Sequence, residues 1–182
     1  IVAIISVALS LTWTGRNIDS QCVKSVISFT FDDGYETTLT KAYPILIKYN
    51  FKGTVYVITD FIGKDNRLNV MQLIFLYSNG WEIASHGVTH TDLTTLSRDD
   101  VIKELTQSKS VLEQMGFGIE NFAVPYGEYN HDIIELIKQY YVSNKTAFEG
   151  LNEIPVDDNS RYQLKVITVK QDTTLDYVYQ MI

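Results

Sequence analysis

Hydrophobic positions along this chain fall into two rhythms that alternate. Residues 25–31 (SVISFTF) are dense in β-branched and aromatic side chains and predict a buried strand. Residues 37–49 then place Leu39, Ala42, Tyr43, Leu46 and Tyr49 at helical spacing. A second buried strand follows at 53–59 (GTVYVIT), then a loop at 60–69. Residues 70–78 read as a helix closed by Asn79-Gly80, and 81–85 as a third strand. Ser97 caps a helix that runs to Met115 and stops at Gly116. A short strand at 121–124 runs into Pro125, and Asn130 caps a helix over 131–140. Residues 141–144 and 165–169 are two further strands, and 173–182 read as a helix without a Gly or Pro stop. Such β-α alternation predicts a parallel sheet, either open or closed into a barrel. In both, active residues sit where strands end and loops begin.

Residues 1–13 (IVAIISVALSLTW) stand apart, with only Ser6, Ser10 and Thr12 breaking an apolar run. That length fits a signal-peptide core of about 7–15 residues and falls short of the roughly 20 of a spanning helix. The chain begins at Ile1, so a start site is expected upstream. The expected division is a signal peptide or membrane-tethering segment over 1–22 and one domain over 23–182, secreted or held at the cell surface. The alternative is a buried first strand or helix of the fold.

Composition narrows the classes. A 182-residue chain with 45% hydrophobic and 20% charged residues is neither a disordered tail nor a fibrous repeat. Its net charge of -7 weighs against nucleic acid and against polyanionic ligands. A single cysteine, Cys22, excludes an internal disulfide. Asp19-Ser20-Gln21 before it lacks the small, apolar character of a lipid-attachment site.

Three polar clusters fall at strand exits. Asp32 and Asp33 close the first strand, in Thr30-Phe31-Asp32-Asp33-Gly34. Adjacent carboxylates repel unless a cation neutralises them. On an extended chain they point opposite ways, unless the strand end bends and turns both into one cleft. The ordinary alternative is a turn or helix cap. His86 and His90 sit at the third exit, in Ser85-His86-Gly87-Val88-Thr89-His90, and the chain has three His in all. Two histidines with one carboxylate, here Asp33, form a hydrolytic zinc set with open positions. Isolated, such a pair is as readily a surface or core feature. The third cluster, Phe122-Ala123-Val124-Pro125-Tyr126-Gly127, offers the Tyr126 N–H as an oxyanion donor.

In this order and spacing the clusters resemble the NodB-homology polysaccharide deacetylases, carbohydrate esterase family four. The resemblance runs from about Val26 to the chain end, with Gly53–Val57 and Gly80-Trp81-Glu82-Ile83 matching the flanks. It implies a distorted (β/α)7 TIM-like barrel, here expected to be incomplete at the C-terminus, and a metal-dependent deacetylase. Asp32 becomes the general base. Asp33, His86 and His90 become ligands to a divalent metal, zinc first. Tyr126 supplies its N–H, and Pro125, Tyr126 and Tyr35 line the substrate. Tyr129, also in a rim loop, is a second candidate for stacking on sugar, whereas Trp81 is expected in the core.

There are departures from the family pattern. Ala123 stands where an Arg commonly orients the base, with Arg161 or Lys165 as possible substitutes. Gly87 replaces a frequent Ser or Thr. The chain ends before the late His that usually serves as general acid is expected, so either the C-terminus is cut short or the acid is supplied otherwise, and His131 reads as a helix start instead. The expected reaction is removal of N-acetyl groups from an N-acetylglucosamine polymer: poly-N-acetylglucosamine, peptidoglycan or chitin-like. The alternatives are an O-acetyl esterase on xylan or other glycans, and a weakly catalytic glycan-binding module that keeps the metal.

Overall fold

The computed structural model describes residues 3–6, 26–170 and 172–181. Among the described residues, seven strands close into a barrel in chain order: β1 (Ala3–Ser6), β2 (Ser28–Phe31), β3 (Gly53–Val57), β4 (Glu82–Ser85), β5 (Asn121–Ala123), β6 (Ser143–Glu149) and β7 (Leu164–Val169). From β2 to β7 every neighbouring pair is parallel. Antiparallel β1 fills the gap between β2 and β7. Parallel neighbours need crossover connections, and helices supply most of them. These are α1 (Tyr43–Lys48, after a π-helical turn at Thr38–Ala42), α2 (Val70–Ser78), α3 (Arg98–Gln114) and α4 (His131–Tyr140), with α5 (Leu175–Met181) after β7. Between β6 and β7 the crossover is a loop with one 3-10 turn, Ser160–Tyr162.

The predicted caps form: Ser97 Oγ accepts the Asp100 N–H, and Asn130 Oδ1 accepts the Ile133 N–H. β6 differs from expectation, because it runs on past residue 144 to Glu149. Of the expected signal or tethering segment, only the backbone of Ala3–Ser6 is described. The rest, with Cys22, lies outside the described residues. Among the described residues no helix is long and apolar enough to cross a membrane.

Strand alternation sorts the side chains into two environments. Val55, Val57, Ile83 and Phe122 pack outward with Leu73, Leu76, Leu105, Leu112, Ile133 and Ile137 of the helices in one buried cluster. Trp81 is part of it, stacked on Phe31 at 5.5 Å. The opposite set, Tyr56, Ala84 and Ala123, forms a separate cluster within the barrel. At the N-terminal end of the interior a polar ladder crosses the sheet. Thr54 Oγ1 donates to Glu82 Oε2, Asn121 Nδ2 to Glu82 Oε1, and Ser143 Oγ to Asn121 Oδ1. Hydrogen bonding makes these interior polar groups tolerable. The same alternation carries Asp32, His86 and Lys145 to the opposite end, where the strands terminate.

Candidate active site

The two carboxylates reach one pocket because the end of β2 bends. Asp33 adopts a left-handed backbone, φ 67°, and Gly34 follows at φ 63°. Asp32 continues the inward alternation while Asp33 is swung alongside it, and both line a cavity of about 270 Å³. A left-handed non-glycine residue is strained by about 1–3 kcal/mol and persists only where its surroundings fix it. Among the described residues Asp33, His90 and Tyr126, one from each cluster, share that conformation and this pocket. Arg67 fixes the first: its Nη1 donates to the Asp33 carbonyl at 2.6 Å and lies 3.8 Å from Oδ2. Its guanidinium sits 3.8 Å from the centre of the Tyr35 ring, at the pocket mouth.

The third strand exit delivers the histidines. His86 is buried, and its Nδ1–H donates to the Ala123 carbonyl at 2.6 Å. That contact fixes the tautomer and leaves Nε2 free to bind a cation. Burial lowers the His86 pKa, against the opposing pull of Asp32, and favours the neutral ring that ligates. His86 Nε2 and His90 Nε2 stand 3.5 and 3.4 Å from Asp33 Oδ1. Two ligands held about 2.0–2.2 Å from a tetrahedral ion stand about 3.3–3.6 Å apart. All three ligand atoms lie within 4.8 Å of one another. The donor set and its spacing therefore fit a zinc-like divalent cation.

The loop between the histidines hangs on Glu104 of α3, a residue the sequence reading passed over. Its Oε2 accepts the N–H groups of Val88 and Thr89 at 2.7 and 3.1 Å, and its Oε1 accepts the Thr89 hydroxyl at 2.7 Å. This explains Gly87. A Cβ there would stand 2.9 Å from Glu104 Oε2, on a backbone at φ 82°. The loop is braced by the Glu104 carboxylate from across it.

Lys145 of β6 was also not foreseen. It is only 2% exposed, and its Nζ donates to Asp32 Oδ2 at 2.8 Å. Lys145 occupies the role for which Arg161 and Lys165 were considered. Arg161 pairs with Asp158 instead, and the Lys165 backbone bonds Asn152. The other oxygen, Asp32 Oδ1, is buried without a protein partner. One oxygen of the carboxylate is thus held by Lys145, and the other has no hydrogen-bond partner among the described residues.

The turn Pro125–Gly127 closes the wall. A Cβ on Gly127 (φ 77°) would stand 2.5 Å from Ala147 Cβ, so the turn presses directly on β6. Tyr126 N–H lies in the first turn of a 3-10 helix, where no intrahelical acceptor exists. Its side chain is 63% exposed and its ring lies 4.5 Å from that of His90. The pocket thus gathers Asp32, Asp33, His86, His90, Tyr126 and Tyr35. Pro125 is buried and does not line it, and His131 starts α4 away from it.

The sequence model of the family described as "Polysaccharide deacetylase" matches residues 20–144. A poly-beta-1,6-N-acetyl-D-glucosamine N-deacetylase of Staphylococcus aureus is 32% identical over 168 residues, covering 82% of this chain and 56% of its own length. The solved structure of the Streptococcus pyogenes deacetylase PplD in complex with acetate superposes with a TM-score of 0.76 at 29% identity, covering 84% of this chain and 68% of that one. That of IcaB from Ammonifex degensii superposes with a TM-score of 0.71 over 84% of this chain and 70% of that one. At 19% identity it shows the fold alone. The chain spans about half the length of the curated relatives it matches.

Proposed function

This chain belongs to the polysaccharide deacetylase family, and we propose that it hydrolyses N-acetyl groups on an N-acetylglucosamine polymer with the help of a divalent cation, most simply zinc. The observation that carries the reading is the convergence of Asp33, His86 and His90 beside Asp32 and Tyr126 in one pocket. Identity to a poly-beta-1,6-N-acetyl-D-glucosamine N-deacetylase supports that polymer as the substrate. In this reading the polymer lies outside the cell. Residues 1–22 are read as the export or tethering segment from their apolar run and 23–182 as the catalytic domain, although Ala3–Ser6 within that segment also supplies the strand that closes the barrel.

A divalent cation held by Asp33, His86 and His90 would polarise the acetyl carbonyl and lower the pKa of water. Asp32 takes a proton from the attacking water and, as the C–N bond breaks, passes it to the leaving sugar amine, with acetate as the other product. Lys145 holds one oxygen of Asp32 and fixes the direction of the carboxylate. The Tyr126 N–H donates to the oxygen on which charge develops. Tyr35 and the exposed Tyr126 ring flank the mouth, where a sugar ring would sit.

Two predictions follow from the supporting residues. Lys145→Met should lower kcat about 100-fold while zinc affinity is kept, because the base loses its anchor and no ligand is touched. Lys145→Arg should recover part of that loss. Steady-state kinetics beside a zinc titration would check both. Glu104→Ala should weaken zinc binding about 10- to 100-fold, as loss of an outer partner of a metal site typically does. Glu104→Gln, which keeps an acceptor for Val88 and Thr89, should lose less. Competition with a chromophoric chelator reads this directly.

The function itself is tested by substrate choice. Zinc-loaded protein is given N-acetylglucosamine oligomers and acetylated xylan in parallel, and acetate is measured. Release from the oligomers is expected. Release confined to xylan would replace the amidase reading with an esterase.

A further inference from the structure

The helices around the barrel do not face solvent alike. The exposed positions of α3 are polar, with Arg98, Asp99, Lys103, Gln107 and Glu113 among them, and those of α4 are His131, Asp132, Glu135 and Gln139. α2 is different. Leu73 and Leu76 on its inner side are fully buried, and its outer face carries Met71, Ile74 and Phe75, with Met71 72% exposed. No residue of α2 is charged. A helix that is apolar all round belongs in a buried setting, yet this one keeps its outer face exposed.

Neighbouring α1 extends that face. Ile45 and Ile47 on the helix, and Tyr49 and Phe51 just after it, are all exposed, Ile45 and Tyr49 by 61%. The two helices lie side by side. The Tyr43 ring meets Phe75 edge on at 5.3 Å, and Lys52 Nζ donates to the Asn79 carbonyl at 2.7 Å. A contiguous exposed apolar patch marks a docking site for a protein or a membrane.

Charge selects between them. Residues 37–59 hold Lys41, Lys48 and Lys52 but no Asp or Glu, and 68–81 hold no charged residue, in a chain of 15 Lys+Arg and 22 Asp+Glu. All three lysines are exposed. One acid, Glu36, reaches α2 near its start, where it accepts from Gln72 Nε2 at 3.0 Å. A second copy meeting this face with its own would set lysines against lysines. Lysines beside aliphatic and Tyr side chains suit the interface of an anionic bilayer, with the apolar groups below the headgroups and the ammonium groups among them. Lys48 Nζ, 5.4 Å from the centre of the Tyr49 ring, shows the two side-chain types side by side.

We propose that the flank formed by α1 and α2 docks on an anionic lipid surface, with Ile45, Met71 and Phe75 at the acyl boundary and Lys41 and Lys48 at the headgroups. This face is separate from residues 1–22 and independent of the reaction. Phe51 and Lys52 lead into the start of β3, and the catalytic pocket opens at the other end of the strands, so docking leaves it open. The contact is peripheral, because among the described residues no helix is long and apolar enough to cross a membrane.

The test is co-sedimentation of the full chain with vesicles of phosphatidylcholine alone, and of phosphatidylcholine and phosphatidylglycerol in equal parts. Native protein should sediment with the anionic vesicles and lose that binding as salt is raised. Ile45→Glu with Met71→Glu should weaken binding more than about tenfold, because two apolar side chains leave the bilayer and two anions face it. Lys41→Gln with Lys48→Gln should weaken it about 10- to 30-fold, at about fivefold per lysine, and flatten the salt dependence. Circular dichroism checks the fold of each variant. Should the glutamate pair unfold, the lysine pair and the salt series decide alone. Native protein that stays in solution beside the anionic vesicles overturns the proposal. So does binding that both variants keep, which would belong to another part of the chain. Self-association that Ile45→Glu with Met71→Glu abolishes, without any vesicle binding, would give the face to a second copy instead. None of these outcomes depends on whether the protein releases acetate.

Discussion

Asp32→Asn should reduce acetate release from N-acetylglucosamine oligomers at least about 1,000-fold, within the range a positioned general base supplies, and leave zinc binding intact. The split between the two readouts follows from the geometry. Asp32 is not among the three converging ligand groups; one of its oxygens belongs to Lys145, and the other is buried without a protein partner. An Asn of the same shape still accepts from Lys145 but cannot take a proton. Turnover and zinc stoichiometry on the same preparation check the split. Loss of zinc together with activity would make Asp32 a ligand rather than the base.

His90→Asn should do the reverse, removing zinc and activity together. Asn tolerates the left-handed backbone that His90 adopts, φ 63°, so the loop between the histidines keeps its course on Glu104. The loss of a direct ligand should weaken zinc affinity by more than about 100-fold, beyond what outer partners carry. Excess zinc should restore part of the turnover. A variant that binds zinc like native protein would remove His90 from the ligand set.

Much of this architecture was legible in the sequence because period and capping agree. The long helix from Ser97 and the short one from Asn130 start at the predicted caps. The paired carboxylates were legible as chemistry, but their common direction was not. Alternation predicts opposite faces, and only the left-handed turn at Asp33, pinned by Arg67 from a loop 34 residues away, resolves it.

Lys145 was missed for a local reason. The predicted strand stopped at Asn144, one residue before Lys145, whereas the strand runs on to Glu149. In the barrel Lys145 instead faces a carboxylate across the interior, a pairing that no local pattern carries. Glu104 escaped in the same way. On α3 it looks like one more acidic position of a polar helix, and only its contact with the loop distinguishes it. Ala3–Ser6 lies within the apolar run 1–13 read as an export signal, and an antiparallel barrel strand has the same composition.

The most direct test of the account is acetate release from poly-N-acetylglucosamine oligomers by protein stripped with a chelator and then reloaded with one equivalent of zinc. The account predicts no release from the stripped protein and full recovery at one zinc per chain. Release that survives stripping, or none when zinc is bound at Asp33, His86 and His90, would contradict it.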